Sequence, residues 1–280
     1  MLRLGLGGPS GLGENQYSKQ AGYTNTQSID LDGTGDFVDT NYSNADLQTL
    51  QRDDFTISMW VRAPYNASFN FFGYSDTGNG LAGSFDLRFL YLNSTTQAVV
   101  AEGKASNFSF GQIFLINNAK FATANSNNWV HVVYVVKKGV DNSTNGTHEL
   151  FFDGSSVGSS NTRTKEFHEA TVVTSGHNGL AFGADMGQSS ATSHMTGQID
   201  ECAVFNVALD ANAISEIYNS GAPNDLNVAG TNYTQSMVNG LQRYYRFEGS
   251  SQSDLETDHS AVGVNASLEG DPTASSETPS

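Results

Sequence analysis

The 280-residue sequence holds one cysteine, Cys202, which excludes an intramolecular disulfide and any multi-cysteine zinc site. Basic residues are scarce: 13 Lys and Arg stand against 29 Asp and Glu, a net charge of −16. So acidic a surface repels phosphate backbones and excludes nucleic acid as a natural partner. No stretch approaches the roughly 18 apolar residues that cross a bilayer, so no membrane partner is expected. The opening Met1–Pro9 carries one basic residue, Arg3, and glycines where a secretory signal needs an unbroken apolar run, so export by the usual route is not expected.

What is abundant is Gly (29 residues), with Asn, Ser and Thr, against only 5 prolines. This is the composition of an outward-facing β protein, of a length that buries a full core without staples. Residues 1–27 are Gly-, Ser- and Asn-rich with no apolar period and are expected as an extended N-terminal arm. From Ser28 the period is two: Ile29 and Leu31 share one face, Asp30 and Asp32 the other. In Phe55–Arg62, Phe55, Ile57, Met59 and Val61 oppose Thr56, Ser58, Trp60 and Arg62. Asp86–Leu92 and Phe108–Phe114 read as further strands. Trp129–Val136 is apolar on both faces, as in a sheet covered on both sides. Glu149–Val157 reads as a hairpin turning at Gly154. One short helix is signalled by Asp210 as cap, Ile214, Ile217 and Tyr218 as its apolar stripe, and Gly221 as its end. Leu241–Phe247 is a late strand, and residues 251–280 are expected as a polar tail. Many short strands, frequent turns and one helix predict an all-β sandwich of two antiparallel sheets with polar terminal arms over a single domain, 28–250.

Several segments together resemble the laminin G-like branch of the concanavalin A-like jelly rolls: "SIDLDGTGDFVDT" (28–40), "FTISMWVRA" (55–63), "NNWVHVVYVVKKG" (127–139), "ELFFDGSSVGSS" (149–160), "GQIDECAVFNVALDANAISEIYNSG" (197–221) and "GLQRYYRFEG" (240–249). The layout of a "RLGLGG" arm, one such domain and an Asn/Ser/Gly-rich tail is similar to proteins of marine bacteriophage particles. The resemblance implies a virion location, on the particle exterior, with other virion proteins as partners through the terminal arms. Assembly as a homo-oligomer is implied too.

The superfamily includes glycoside hydrolases whose active strand carries Glu-x-Asp-x-x-Glu, holding two carboxyls about 5–5.5 Å apart. Here Glu256-Thr257-Asp258 and Glu269-Gly270-Asp271 lack the third carboxylate, and adjacent Asp200 and Glu201 are expected on opposite strand faces. The sequence is therefore read as non-enzymatic. Gly78–Gly83 and Gly154–Gly158 spell a dinucleotide fingerprint and a nucleophile elbow, but a strand-like run and a hairpin replace the helices those motifs need. His131 and Cys202 read as packed strand residues.

Three functional expectations remain. The resemblance implies one structural Ca²⁺ held by Asp32, Asp36 and Asp200, with Gly33 and Gly35 turning the backbone between the first two; solvated turn aspartates are the plain alternative. A glycan site is expected in the loop 65–79, from Tyr65, Asn66, Tyr74, Asp76 and Asn79, with Phe69, Phe71 and Phe72 read as core. Tyr17 and Tyr23 are expected to anchor the arm during assembly. The implied role is a virion surface protein with a lectin-like fold, as capsid decoration or fibre subunit. An adhesin for host-surface polysaccharide is the alternative, and a polysaccharide-cleaving enzyme the outlier.

Overall fold

Strict alternation makes Phe55–Arg62 a strand with one face committed to the core: Phe55, Ile57, Met59 and Val61 are all fully buried. The same rule sorts the other strands in the computed structural model, which describes residues 23–64, 67–74, 84–93, 96–105, 108–109, 113–116, 119–121, 127–138, 146–163, 179–186 and 190–280.

In chain order the first elements are β1 (Ser28–Asp32), β2 (Phe37–Asp39), α1 (Asn44–Arg52), β3 (Phe55–Arg62), β4 (Phe69–Tyr74), β5 (Ser84–Asn93) and β6 (Thr96–Ala105). There follow β7 (Phe108–Ser109), β8 (Ile113–Ile116), β9 (Trp129–Lys137), β10 (Gly146–Phe152), β11 (Ser155–Arg163), β12 (Ala181–Phe182), β13 (Asp185–Met186) and β14 (Ala191–Thr192). The last are β15 (Thr196–Phe205), α2 (Ala211–Tyr218), α3 (Gln235–Val238), β16 (Leu241–Tyr245), α4 (Gln252–Leu255), β17 (Ser267–Glu269) and β18 (Thr273–Ser275).

Two sheets face each other. One runs β11-β10-β9-β3-β15-β1-β18, with β16 also paired to β15. The other runs β17-β2-β12-β4-β5-β6-β7, with β8 on β6 and the β13–β14 hairpin beside β4. Between them lies one core, including Ile29, Leu31, Ile57, Met59, Phe69, Phe71, Phe72, Val132, Tyr134, Ile199, Val204 and Tyr245. This is the expected β-sandwich.

A second apolar layer explains why β9 is apolar on both faces. Helix α2 is capped by the Asp210 side chain, which accepts from the Ala213 N–H, and ends where Asn219 turns left-handed. It presses Ala213, Ile214 and Ile217 onto Val133, Val135, Phe151, Ala203, Phe205 and Tyr244, on the outer face of the first sheet. Tyr244 and Tyr245 are therefore both fully buried, one in each layer.

Three expectations need correction. The single short helix becomes four α-helical segments among the described residues; α1 begins with a capping box, Ser43 and Asp46, and buries Leu47 and Leu50. The supposed polar tail belongs to the domain: β17 pairs with β2 on one sheet and β18 with β1 on the other, so residues 267–275 form one edge of each sheet. Its polarity fits edge strands, whose outer side chains meet water. Finally, residues 23–27 of the expected arm pack onto the domain; residues 1–22 lie outside the described residues.

Candidate functional site

The outer face of the first sheet has a second half that α2 does not roof. Here Trp60 and Arg62 of β3 sit opposite His131 and Trp129 of β9, in register. Trp60 stacks on His131 with centroids 4.9 Å apart, and Tyr218, the last residue of α2, lies 5.8 Å from Trp60 and 6.1 Å from His131 in near-parallel planes. Trp60 and His131 are buried, while Trp129 and Tyr218 are half-buried. His131 Nε2 and Ser58 Oγ share a hydrogen bond of 2.9 Å, and burial lowers the imidazole to about 3, so it is a neutral, fixed core ring. Tyr218 thus rests on a rigid aromatic bed.

Polar groups surround that ring. The β10–β11 hairpin turns through Asp153 and Gly154, both with positive φ, a two-residue turn of the primed kind. It carries the Asp153 carboxylate to the His131 N–H at 2.9 Å and into an ion pair with Lys120. Gly154 passes beneath Tyr218: a Cβ there would lie 3.0 Å from its Cδ1. Burial, then the Asp153 charge, raises the Tyr218 hydroxyl, while the hydrogen bond to Asp153 raises Lys120. On the other side Arg62 donates to Asn127 O at 2.6 Å and Gln198 Oε1 at 2.8 Å, and Gln198 donates onward to Ser275 Oγ at 2.8 Å. A half-exposed ring flanked by donors and acceptors can take the apolar face of a polar ring-shaped ligand and hydrogen-bond its edge.

The two adjacent carboxylates next to this region behave differently from the sequence expectation. Opposite Trp60–Ser58, β15 spends one extra residue, and Glu201 sits at the bulge with φ 49°. That left-handed conformation costs a non-glycine residue about 1–2 kcal/mol. It breaks the alternation, so Asp200 and Glu201 do not point to opposite faces but both lie buried in one polar cluster. Asn25 Nδ2 donates to Asp200 at 2.8 Å, Tyr244 O–H donates to Glu201, and Arg246 Nε stands 3.6 Å from Glu201. Burial, then mutual repulsion, raises Asp200; burial raises Glu201. The pair could in principle share a proton as acid and base do, but Tyr23 and Asn25 lie over it and both carboxyls are nearly inaccessible. The neighbouring Cys202 thiol is raised by burial and then by these carboxylates, as fits a packed residue.

The calcium trio is not brought together. Asp32 pairs with Thr196, four residues along β15 from Asp200 and so about 13 Å away. Asp36 is buried, accepting from the Asp32 N–H at 3.0 Å and the Asp271 N–H at 2.8 Å; Asp32 accepts from Thr34 N–H at 2.6 Å. These carboxylates stitch a turn, with Gly33 and Gly35 at positive φ as expected. Among the described residues no group of three or more His, Cys, Asp and Glu is placed to hold a metal. The three aspartates therefore do not fit one calcium ion.

Of the expected glycan loop, Tyr65, Asn66, Asp76 and Asn79 lie outside the described residues, and of Tyr74 only its place at the end of β4 is described. Phe69, Phe71 and Phe72 are core. Tyr17 lies outside the described residues. Tyr23 is buried beneath the Arg246 guanidinium, 4.5 Å above its ring, so it anchors the arm to its own domain instead of offering itself to a neighbour. Sequence reasoning missed Tyr218, which shares the helical stripe of Ile214 and Ile217 and reads as one more core residue. The left-handed Asn219 directly after it is the local signal that the helix stops there.

Similar solved structures show the same sandwich. A proposed carbohydrate binding protein from Bacteroides ovatus is 14% identical with a TM-score of 0.53, over 91% of this chain and 61% of that one. The leech intramolecular trans-sialidase is 16% identical with a TM-score of 0.50, over 70% of this chain and 27% of its own. A carbohydrate-binding module, CBM40, of a Ruminococcus gnavus sialidase is 18% identical over 69% of this chain and 97% of that one, at 0.47. The chain thus spans about three fifths of the Bacteroides protein, and at these identities the likeness concerns the fold alone. Among curated proteins none matches. Over residues 32–215 the sequence matches the third laminin G-like family of the concanavalin A-like lectin/glucanases superfamily, and the chain belongs to it.

Proposed function

We propose that this protein is a non-catalytic, lectin-like module that binds glycans beside Tyr218, on the half of its outer face that the body of α2 does not roof. The observation that carries this is Tyr218, half-exposed on the Trp60–His131 stack and flanked by Asp153 and Lys120. A sugar offers an apolar face to a ring and hydroxyls to groups at its edge, which is the chemistry assembled here. The lectin-like fold supports the reading. Against catalysis stand the commitments of Asp200 and Glu201 to Asn25, Tyr244 and Arg246 beneath the N-terminal segment. The likeness of the arm, domain and tail to proteins of marine bacteriophage particles supports a location on the outside of a virus particle, where such a module would meet host-surface polysaccharide.

The test is binding to a panel of bacterial surface polysaccharides, in calcium and in EDTA, by the native chain and by Tyr218→Ala. Saturable binding that survives EDTA and weakens about tenfold or more in the variant is expected, a loss of about 1.4 kcal/mol. Absence of binding across the panel overturns the glycan reading. Release of reducing ends from any bound polysaccharide overturns the non-catalytic one.

A further inference from the structure

Beyond β18 the chain does not leave the sheet edge but turns over its outer face. Ser28, whose neighbours Ile29 and Leu31 point inward, donates its hydroxyl to Glu277 O at 2.7 Å. The Glu277 carboxylate reaches Arg62 Nη1, on β3, at 3.4 Å. Pro279 is buried. Ser280 O comes within 3.6 Å of the point where a Cβ on Gly221 would stand, a point 4.0 Å from the Tyr218 hydroxyl. Residues 276–280 therefore cross β1, β15 and β3, from the β18 edge to the end of α2, and finish beside the ring proposed to receive the sugar.

Apart from the buried Pro279, the strap is held by contacts that an extended polar ligand could replace. Its ion pair is a surface one, with Glu277 64% exposed and Arg62 29%, and such pairs contribute little to holding a segment in place. The hydroxyl-to-backbone bond from Ser28 leaves the adjacent Gln198 and Arg62 side chains along the same track.

We propose that residues 276–280 are a specificity determinant of the site, an internal occupant of the track that leads across the sheet to Tyr218. Resting on the glycan reading above, the inference is that the protein binds chain ends and short saccharides at Tyr218. An internal stretch of a long polymer would need the track the strap fills. Removing the strap converts the site to one that accepts such internal stretches.

The experiment compares the native chain with a chain ending at Ser275. The probes are intact polysaccharides that lack accessible chain ends because both ends are immobilised or blocked, and the mono- and disaccharides obtained by hydrolysing the same polymers. The expected result is similar affinity of both proteins for the short sugars and a gain of tenfold or more for the blocked polymers on truncation. The double variant Glu277→Ala, Pro279→Ala, which keeps the chain length, is expected to show the same shift in smaller measure and serves if the truncated chain fails to fold. Equal binding of blocked polymer by native and variant chains overturns the strap's role while the glycan reading stands. No binding of any sugar by any of the proteins overturns the glycan reading, and the strap's role with it.

Discussion

The two halves of the outer face of the first sheet solve one problem in opposite ways. Both are built from the same strands, β9, β3 and β15, and differ in what covers them. Under α2 these strands present Val133, Val135, Ala203 and Phe205, with Phe151 of the neighbouring β10, and the helix answers with Ala213, Ile214 and Ile217. Beyond it they present Arg62, Gln198 and Asp200, with Trp60 and His131 beneath Tyr218, and the cover is residues 23–27 and 276–280, held largely by polar contacts. Apolar burial is non-directional and roughly proportional to area, so it makes a permanent roof. Polar contacts exchange with water at a small net gain each, so they make a replaceable one. The difference teaches that recognition is better sought where the sheet's cover is polar than where it is thick.

The largest effect expected to separate the halves is in the roof. Ile214→Ala and Ile217→Ala should each cost about 2–5 kcal/mol in denaturant unfolding, as buried truncations do, while folded protein keeps its sugar affinity. A loss below about 1 kcal/mol would mean that α2 is not the seal described.

The polar half should instead reveal itself through pH, with two opposed signs. Asp200 and Glu201 are raised in the folded state from ordinary values of 3.8 and 4.5, so their contribution is full below those values and is lost as pH rises through the folded ones. His131 is depressed from 6.5 to about 3, so its contribution is full above 6.5 and is lost as pH falls toward 3. Urea melts should therefore show Asp200→Asn gaining on the native chain as pH is raised from 5 to 8. His131→Gln should lose less than the native chain between pH 6.5 and 4. Parallel profiles for all three proteins would refute the account of buried charge.

A smaller effect is expected at Gly154, where φ is 74° and a Cβ would press on Tyr218. Gly154→Ala should cost about 1–2 kcal/mol through the left-handed backbone alone, and should weaken sugar binding by displacing the ring. Retained affinity alongside lost stability would show that the position of Tyr218 is not critical. The smallest effect is at the strap: Glu277→Ala should change stability by less than about 1 kcal/mol, measured by thermal unfolding.

Where side-chain pattern dictates structure, the sequence was readable. The period of two delivers β3 at Phe55–Arg62, the doubly apolar run delivers β9, and Asp210 with Ile214 and Ile217 delivers α2. Where backbone pairing dictates it, the pattern is silent. The strands β17 and β18 carry a single buried apolar residue, Leu268, and are held by main-chain bonds that leave no trace in composition. The site falls in between. Its aromatic bed is visible in Trp60 and His131, which alternation puts on strand faces, but the bulge at Glu201 is not, because a glutamate gives no sign of a positive φ. The capping box of α1 was present in Ser43 and Asp46 and went unread for want of a longer apolar stripe.

The place of residues 267–275 at one edge of each sheet also bears on how the chain emerges during synthesis. Strands β1 and β2 are made before the other described strands, yet their partners β18 and β17 follow more than two hundred residues later. Until then each carries an open edge of unpaired amides and carbonyls, the surface through which growing chains stick to one another. The hazardous interval lasts until residues 267–275 are added, two short strands whose main chains cover those edges.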